Sequence, residues 1–147
     1  MEYWFYHLEH ASIEAVLPQL LEKTRAKGWQ ALVKMSEARL PDLDKYLWTY
    51  RDDSFLPHGR DDEPMNDQNP IRLSSTIKAS DKAECVFLLD QAEIELTDTA
   101  QRCIVIIEGQ KADSVTFERA RWKRLKATDA IMSYWQQNDR GEWQKKA

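Results

Sequence analysis

The sequence predicts an α/β fold: one three-layer, Rossmann-like domain over residues 1–147 with a mostly parallel sheet and no nucleotide-binding loop. Three observations carry this. Short apolar or aromatic runs alternate with segments whose apolar residues recur at helical spacing. The runs at 84–89 and 102–107 are almost continuously apolar, as interior parallel strands covered on both faces are. A length of 147 residues fits a single core. Strand–helix–strand–helix, then strands, then a long helix, is the order that packs helices on a parallel sheet through right-handed crossovers.

Residues 3–8, Y-W-F-Y-H-L, form a short aromatic strand. Ile13, Val16, Leu17, Leu20 and Leu21 then mark an amphipathic helix, with Ser12 as its cap and Gly28 as its stop. Pro18 conflicts with an uninterrupted helix, so a kink or a later start is expected. Residues 29–35, W-Q-A-L-V-K-M, read as the second strand. Pro41 opens a second helix where its missing N–H costs nothing, and Leu43, Tyr46, Leu47 and Tyr50 form its buried face. Residues 51–70 read as a long loop with Pro57, Gly59, Pro64 and Pro70, of a length usually tied to function. Strands are predicted at 71–76, 84–89 and 102–107. Asp113 or Ser114 caps a final helix that reads on from Phe117 to Trp135.

That last segment carries the strongest functional signal. From residue 117 onward there are eight Lys/Arg against four Asp/Glu, whereas residues 1–116 carry 13 against 21. An acidic body therefore ends in a basic, Trp-containing helix, which points to an anionic partner met at one place. At about 100° per residue, Arg119, Trp122, Lys123 and Lys126 fall within roughly a third of the circumference. Three cations around one indole suit an acidic peptide with an apolar anchor, or a nucleic-acid backbone. The plainer alternative is a solvated face resting its Trp on the core.

Other chemistry finds little support. No apolar run approaches the roughly 20 residues that span a bilayer, so no membrane partner is expected. The N-terminus has no cationic region of the secretory type, and Cys85 and Cys103 sit in apolar runs, so two reduced thiols and a cytoplasmic location are expected. The glycines, Gly28, Gly59, Gly109 and Gly141, are too far apart for G-x-G-x-x-G or a P-loop. His7, Glu9 and His10 make a weak metal set, and the carboxylates Asp52, Asp53, Asp61, Asp62 and Glu63 read as solvated loop residues. No cofactor is expected.

The block Leu47-Trp48 followed by Asp53-Ser54-Phe55-Leu56-Pro57-His58-Gly59 resembles the LW…SF(V/L)PH segment of the chi subunit of bacterial DNA polymerase III. The strand–helix order, the length, the aromatic Phe5-Tyr6 and the R-A-R-W-K-R-L-K helix are also similar, so the resemblance covers essentially the whole chain. It implies a non-catalytic accessory subunit with no nucleotide site. Such a subunit links the clamp-loader complex, through the psi subunit, to the acidic C-terminal tail of single-stranded DNA-binding protein (SSB), and meets DNA only indirectly. By the resemblance, Arg119, Trp122 and Lys123 match basic and aromatic positions of the SSB-tail pocket, and Lys126 a further basic one. Trp122 stands where Tyr is common, and Asp129 near where Gly is frequent. Trp48, Phe55, Leu56 and Pro57 match the region that docks on psi, or else pack the loop onto the core.

Two other readings stay open at this point. One is a small α/β enzyme built on the 51–70 loop with His58 as acid/base, since a histidine titrates in the useful range. The other is direct single-stranded nucleic-acid binding through the basic helix, which the acidic body opposes.

Overall fold

The computed structural model describes residues 2–49, 58–60, 70–75, 83–93 and 100–147. Among these the elements run β1 (Glu2–Leu8), α1 (Ile13–Ala26), β2 (Ala31–Lys34), α2 (Leu40–Thr49), β3 (His58–Arg60), β4 (Ile71–Ser74), β5 (Cys85–Leu88), β6 (Arg102–Glu108), α3 (Ala112–Lys126), β7 (Ile131–Gln137) and β8 (Trp143–Lys145). The strands form one sheet in the order β3-β4-β2-β5-β6-β1-β7-β8. Every neighbouring pair is parallel except β7 with β8.

The period-two alternation of the strands builds two cores, one on each side of the sheet. Leu17 and Leu21 of α1 and Leu43 and Leu47 of α2 cluster with Val33, Phe87, Ile104 and Ile106 on one face. On the other, Val115, Trp122 and Leu125 of α3 pack against Phe5, Val86, Val105 and Ile107. The strand predictions at 84–89 and 102–107 are met by β5 and β6, whose apolar runs are buried throughout their interiors. Cys85 and Cys103 are free and buried. They belong to opposite faces of the sheet, which rules out a bond between them. Burial pushes both thiols up to about 12, so neither is a nucleophile at neutral pH. No helix among the described residues is long and apolar enough to cross a membrane.

Helix α1 starts at Ile13, not beyond the proline, and Ser12 caps it by accepting from the Ala15 N–H at 3.2 Å. It runs on through Pro18, which has no N–H to give the Glu14 carbonyl. Gly28 ends it at φ +78°, donating to the Arg25 carbonyl, while the Trp29 N–H reaches back to Thr24. This paired closure needs a left-handed residue, which explains the glycine. Of the predicted buried face of α2, Leu43 and Leu47 are buried and Tyr46 is half-buried. Tyr50 lies outside the described residues.

The C-terminal third departs most from the sequence reading. The final helix ends at Lys126, and residues 131–137 are a strand, not its continuation. Thr128 explains the stop. Its hydroxyl donates to the Leu125 carbonyl at 2.6 Å and accepts the Ala130 N–H at 3.2 Å, so it competes with the helical ladder. Neither Asp113 nor Ser114 caps the helix: the cap position is Lys111, with no side-chain bond. Ser114 instead accepts the Glu108 N–H at 3.1 Å, and Asp113 lies in the first turn, where a carboxylate favours the helix dipole. Two short strands went unpredicted: β3, within the 51–70 segment, and β8. β8 is joined to β7 by a turn in which the Asn138 side chain accepts the Arg140 and Glu142 N–H groups.

Candidate functional site

Arg119, Lys123 and Lys126 are exposed on α3, around a half-buried Trp122. The indole is fixed from below. It meets Phe5 of β1 edge-on at 5.1 Å and Tyr134 of β7 edge-on at 5.6 Å. Its packing edge thus belongs to the core while the rest borders the cations, and Lys126 Nζ stands 5.5 Å from the ring centroid. Among the described residues Arg119, Lys123 and Lys126 make no ion pair. Their helix neighbours do: Arg121 pairs with Glu118 at 3.1 Å and Arg124 approaches Glu93 at 4.0 Å. The structure therefore brings together all four residues that the resemblance assigns to the SSB-tail pocket.

It also adds Tyr134, which sequence reasoning missed, and His7, which entered there only as a weak metal ligand. The Tyr134 hydroxyl meets His7 Nδ1 across β7 and β1. Burial lowers the His7 pKa and raises that of Tyr134, and the Arg119 charge acts on both, lowering each. Tyr134 escaped notice because it was read as helical. The alternation of Met132 and Tyr134 with Ser133 and Trp135 is the strand signal that could have found it. Asp129 lies in the turn after α3 and has no positive φ, so the position makes no demand for glycine here.

Beneath this face lies a buried ion pair. Glu118 and Arg121 are 2% and 4% exposed, and Arg121 also donates to the Ala92 carbonyl at 2.7 Å. Burial pushes the Glu118 carboxyl up to about 7, against the pull of Arg121 and with a further push from Glu93. An unfolded glutamate titrates near 4.3. Between these values the folded chain holds the proton that the unfolded chain has released. Stability therefore falls as pH rises through that window and levels off above about 7. Glu118→Gln mimics the protonated acid. It is expected to match wild type near pH 4 and to exceed it near pH 8 by on the order of 2 kcal/mol. Urea denaturation at the two pH values checks this; equal destabilisation at both would mean the ionised pair is favourable.

Trp48, at the far end of α2, is 51% exposed. Its ring rests on His58 of β3 at 4.2 Å between centroids. His58 is 2% exposed, with Nε2 at 3.1 Å from the Asp44 backbone carbonyl and 3.2 Å from its carboxylate. The imidazole thus ties β3 to α2 beneath Trp48 and is closed to solvent, which leaves the acid/base reading of His58 without support. Phe55, Leu56 and Pro57, the other residues matched to the psi-docking region, lie outside the described residues.

Where α/β folds of this layout bind nucleotides, at the carboxyl ends of the strands, an ion network stands. Arg39 bonds Asp90 at 2.8 Å, Glu14 at 3.1 Å and Glu108 at 3.2 Å. Asp90 is half-buried, which opposes its charge, yet hydrogen bonds from Arg39 and Ser36 prevail and hold it below the usual carboxylate range. The 480 Å³ cleft beside it is lined by Asp90, Glu108 and Asp113 with only Lys111 in opposition. Gly109 closes the same end: a Cβ there would stand 2.6 Å from the Leu8 carbonyl oxygen, so β6 and β1 meet only over a glycine.

The family model for the DNA polymerase III chi subunit, HolC, matches residues 1–133. A protein of Rickettsia prowazekii (strain Madrid E) described as a probable DNA polymerase III subunit chi is 21% identical over 94 residues. That alignment covers 63% of this chain and 57% of the relative, so the chain matches somewhat more than half of that protein's length.

Proposed function

The chain belongs to the DNA polymerase III chi subunit family, and on that premise we propose that it is a non-catalytic adaptor of the clamp-loader complex. The outer side of α3 takes the acidic C-terminal tail of SSB. The surface around Trp48 docks on the psi subunit or another clamp-loader subunit. The observation that carries this reading is the trio of cations with no ion pair among the described residues, Arg119, Lys123 and Lys126, around one anchored indole. Carboxylates of a peptide tail satisfy the cations, and a terminal aromatic adds ring contact with Trp122. The guanidinium of Arg119 offers a bidentate partner for a chain-terminal carboxylate.

The two faces lie on helices that cover opposite sides of the sheet, which suits a subunit that holds two partners at once. Such a subunit works by raising the local concentration of one partner near the other, and needs no chemistry of its own. Calorimetry of the chain with a short acidic peptide ending in Asp-Phe tests the first face. One saturable site is expected, weakening as salt rises because exposed ion pairs are screened. Absence of binding at low salt would contradict the reading.

A further inference from the structure

On the opposite side of the sheet from α3 lies an aromatic and cationic concavity, which the adaptor reading does not use. It has a volume of about 300 Å³, within the range of small-ligand sites. Its walls are Trp4 and Tyr6 of β1, Trp135 of β7 and Trp143 of β8. Trp135 lies nearly parallel to Tyr6, with an interplanar angle of 19°, and Trp143 meets Tyr6 edge-on at 4.7 Å. Trp135 and Trp143 are only partly covered, whereas Tyr6 is buried and Trp4 lies under Arg102.

Three cations border the rings. Lys23 and Lys27 are exposed at the end of α1, one turn apart. That places their stems about 6 Å apart along the helix axis, an interval suited to successive phosphates. The guanidinium carbon of Arg102 stands over the Trp4 ring, 3.8 Å from its centroid, and 5.1 Å from that of Trp29. Its Nε is buried without a hydrogen-bond acceptor among the described residues, and the nearest carboxylate oxygen, Glu2 Oε2, stands 3.6 Å away. Glu2 is itself engaged by the Trp4 indole N–H at 3.0 Å. The local balance is positive in a chain whose net charge is −4.

We propose that this concavity is a contact site for single-stranded nucleic acid, taking one or two nucleotides. A base stacks on the exposed indole faces of Trp135 and Trp143, and the flanking phosphates meet Lys23, Lys27 and Arg102. Stacking platforms beside cations are the usual means of holding single strands without sequence preference, because every base has a π-face. The acidic body, which opposes coating of long nucleic acid, does not oppose a contact this small. A weak direct contact of this kind gains its effect when the chain is already held near a single strand. The proposal stands independently of the peptide site on α3.

Tryptophan fluorescence of the chain, titrated with a short oligothymidylate, tests it, since Trp4, Trp29, Trp135 and Trp143 all lie at or beside the concavity. Quenching by base stacking is expected, with a salt slope of about −1.5 to −2 for two or three phosphate contacts. Trp143→Ala should weaken binding about tenfold, the effect of losing one stacked base. The pair Lys23→Gln and Lys27→Gln, on an exposed helix face, tests the site without touching the rings. It should weaken binding severalfold and flatten the salt slope by about one unit. The proposal is overturned if the oligonucleotide gives no saturable quenching, or if these variants leave the titration unchanged. Loss of quenching with Arg119→Ala instead would assign the contact to α3 and equally overturn it. Quenching by an acidic peptide but not by the oligonucleotide, sensitive to the same variants, would make the site a peptide site.

Discussion

Arg119→Ala is expected to weaken binding of an acidic, Phe-terminated peptide by roughly 1.5–3 kcal/mol, the cost of a lost charge-assisted contact. Arg119 is exposed and has no ion pair among the described residues, so its removal strands no buried partner. Alanine is also a good helix former, so the fold should be undisturbed. Arg124 on the same helix is the natural control. It is exposed but already approaches Glu93, and Arg124→Ala should change affinity by less than about 0.5 kcal/mol. Trp122→Ala is a poorer probe. Its ring packs on Phe5 and Tyr134, so its loss confounds binding with core damage. Calorimetry at fixed salt separates these cases. Equal losses for Arg119→Ala and Arg124→Ala would reduce the site to diffuse charge.

Trp48→Ala should weaken capture of a psi-like clamp-loader subunit by about 2 kcal/mol or more, the threshold of an interface anchor. The ring is half exposed and held in place by a buried His58, so it loses little freedom on docking. The same variant should leave the peptide affinity near wild type, because α2 and α3 lie on opposite faces of the sheet. Phe55→Ala is expected to act in the same direction. A pull-down at matched concentration reads the effect, with circular dichroism as the check on folding. If Trp48→Ala retains the partner fully, the docking surface lies elsewhere. If it unfolds the chain, Trp48 belongs with His58 as a packing residue.

Much of this architecture was legible in the residues, and the misses have physical causes. Continuous apolar runs marked β5 and β6 because both faces of an interior strand are buried. Ser12 and Gly28 marked the ends of α1 because each supplies a specific backbone closure. The end of α3 was missed because nothing between Ala127 and Ala130 is Gly or Pro. The stop is a threonine side chain competing for a carbonyl, a signal easily mistaken for a tolerated helical residue. That error concealed Tyr134, which packs on Trp122, and Trp135, one of the rings of the aromatic concavity. The basic cluster was legible because helical spacing alone gathers positions 119, 122, 123 and 126. Its freedom from ion pairs among the described residues was not, since pairing of Arg121 and Arg124 depends on burial and on Glu93 from another segment. The Arg39 network likewise joins residues from four separate segments, which no local pattern reveals.

On the proposed function, one chain holds two protein partners at once through separate faces. The most direct test of this is a titration of the Asp-Phe-terminated peptide into the chain already saturated with a psi-like clamp-loader subunit. The account predicts the same stoichiometry and the same affinity, within about twofold, as for the chain alone, since independent sites add. Displacement of one partner by the other, or loss of peptide binding in the complex, would contradict it.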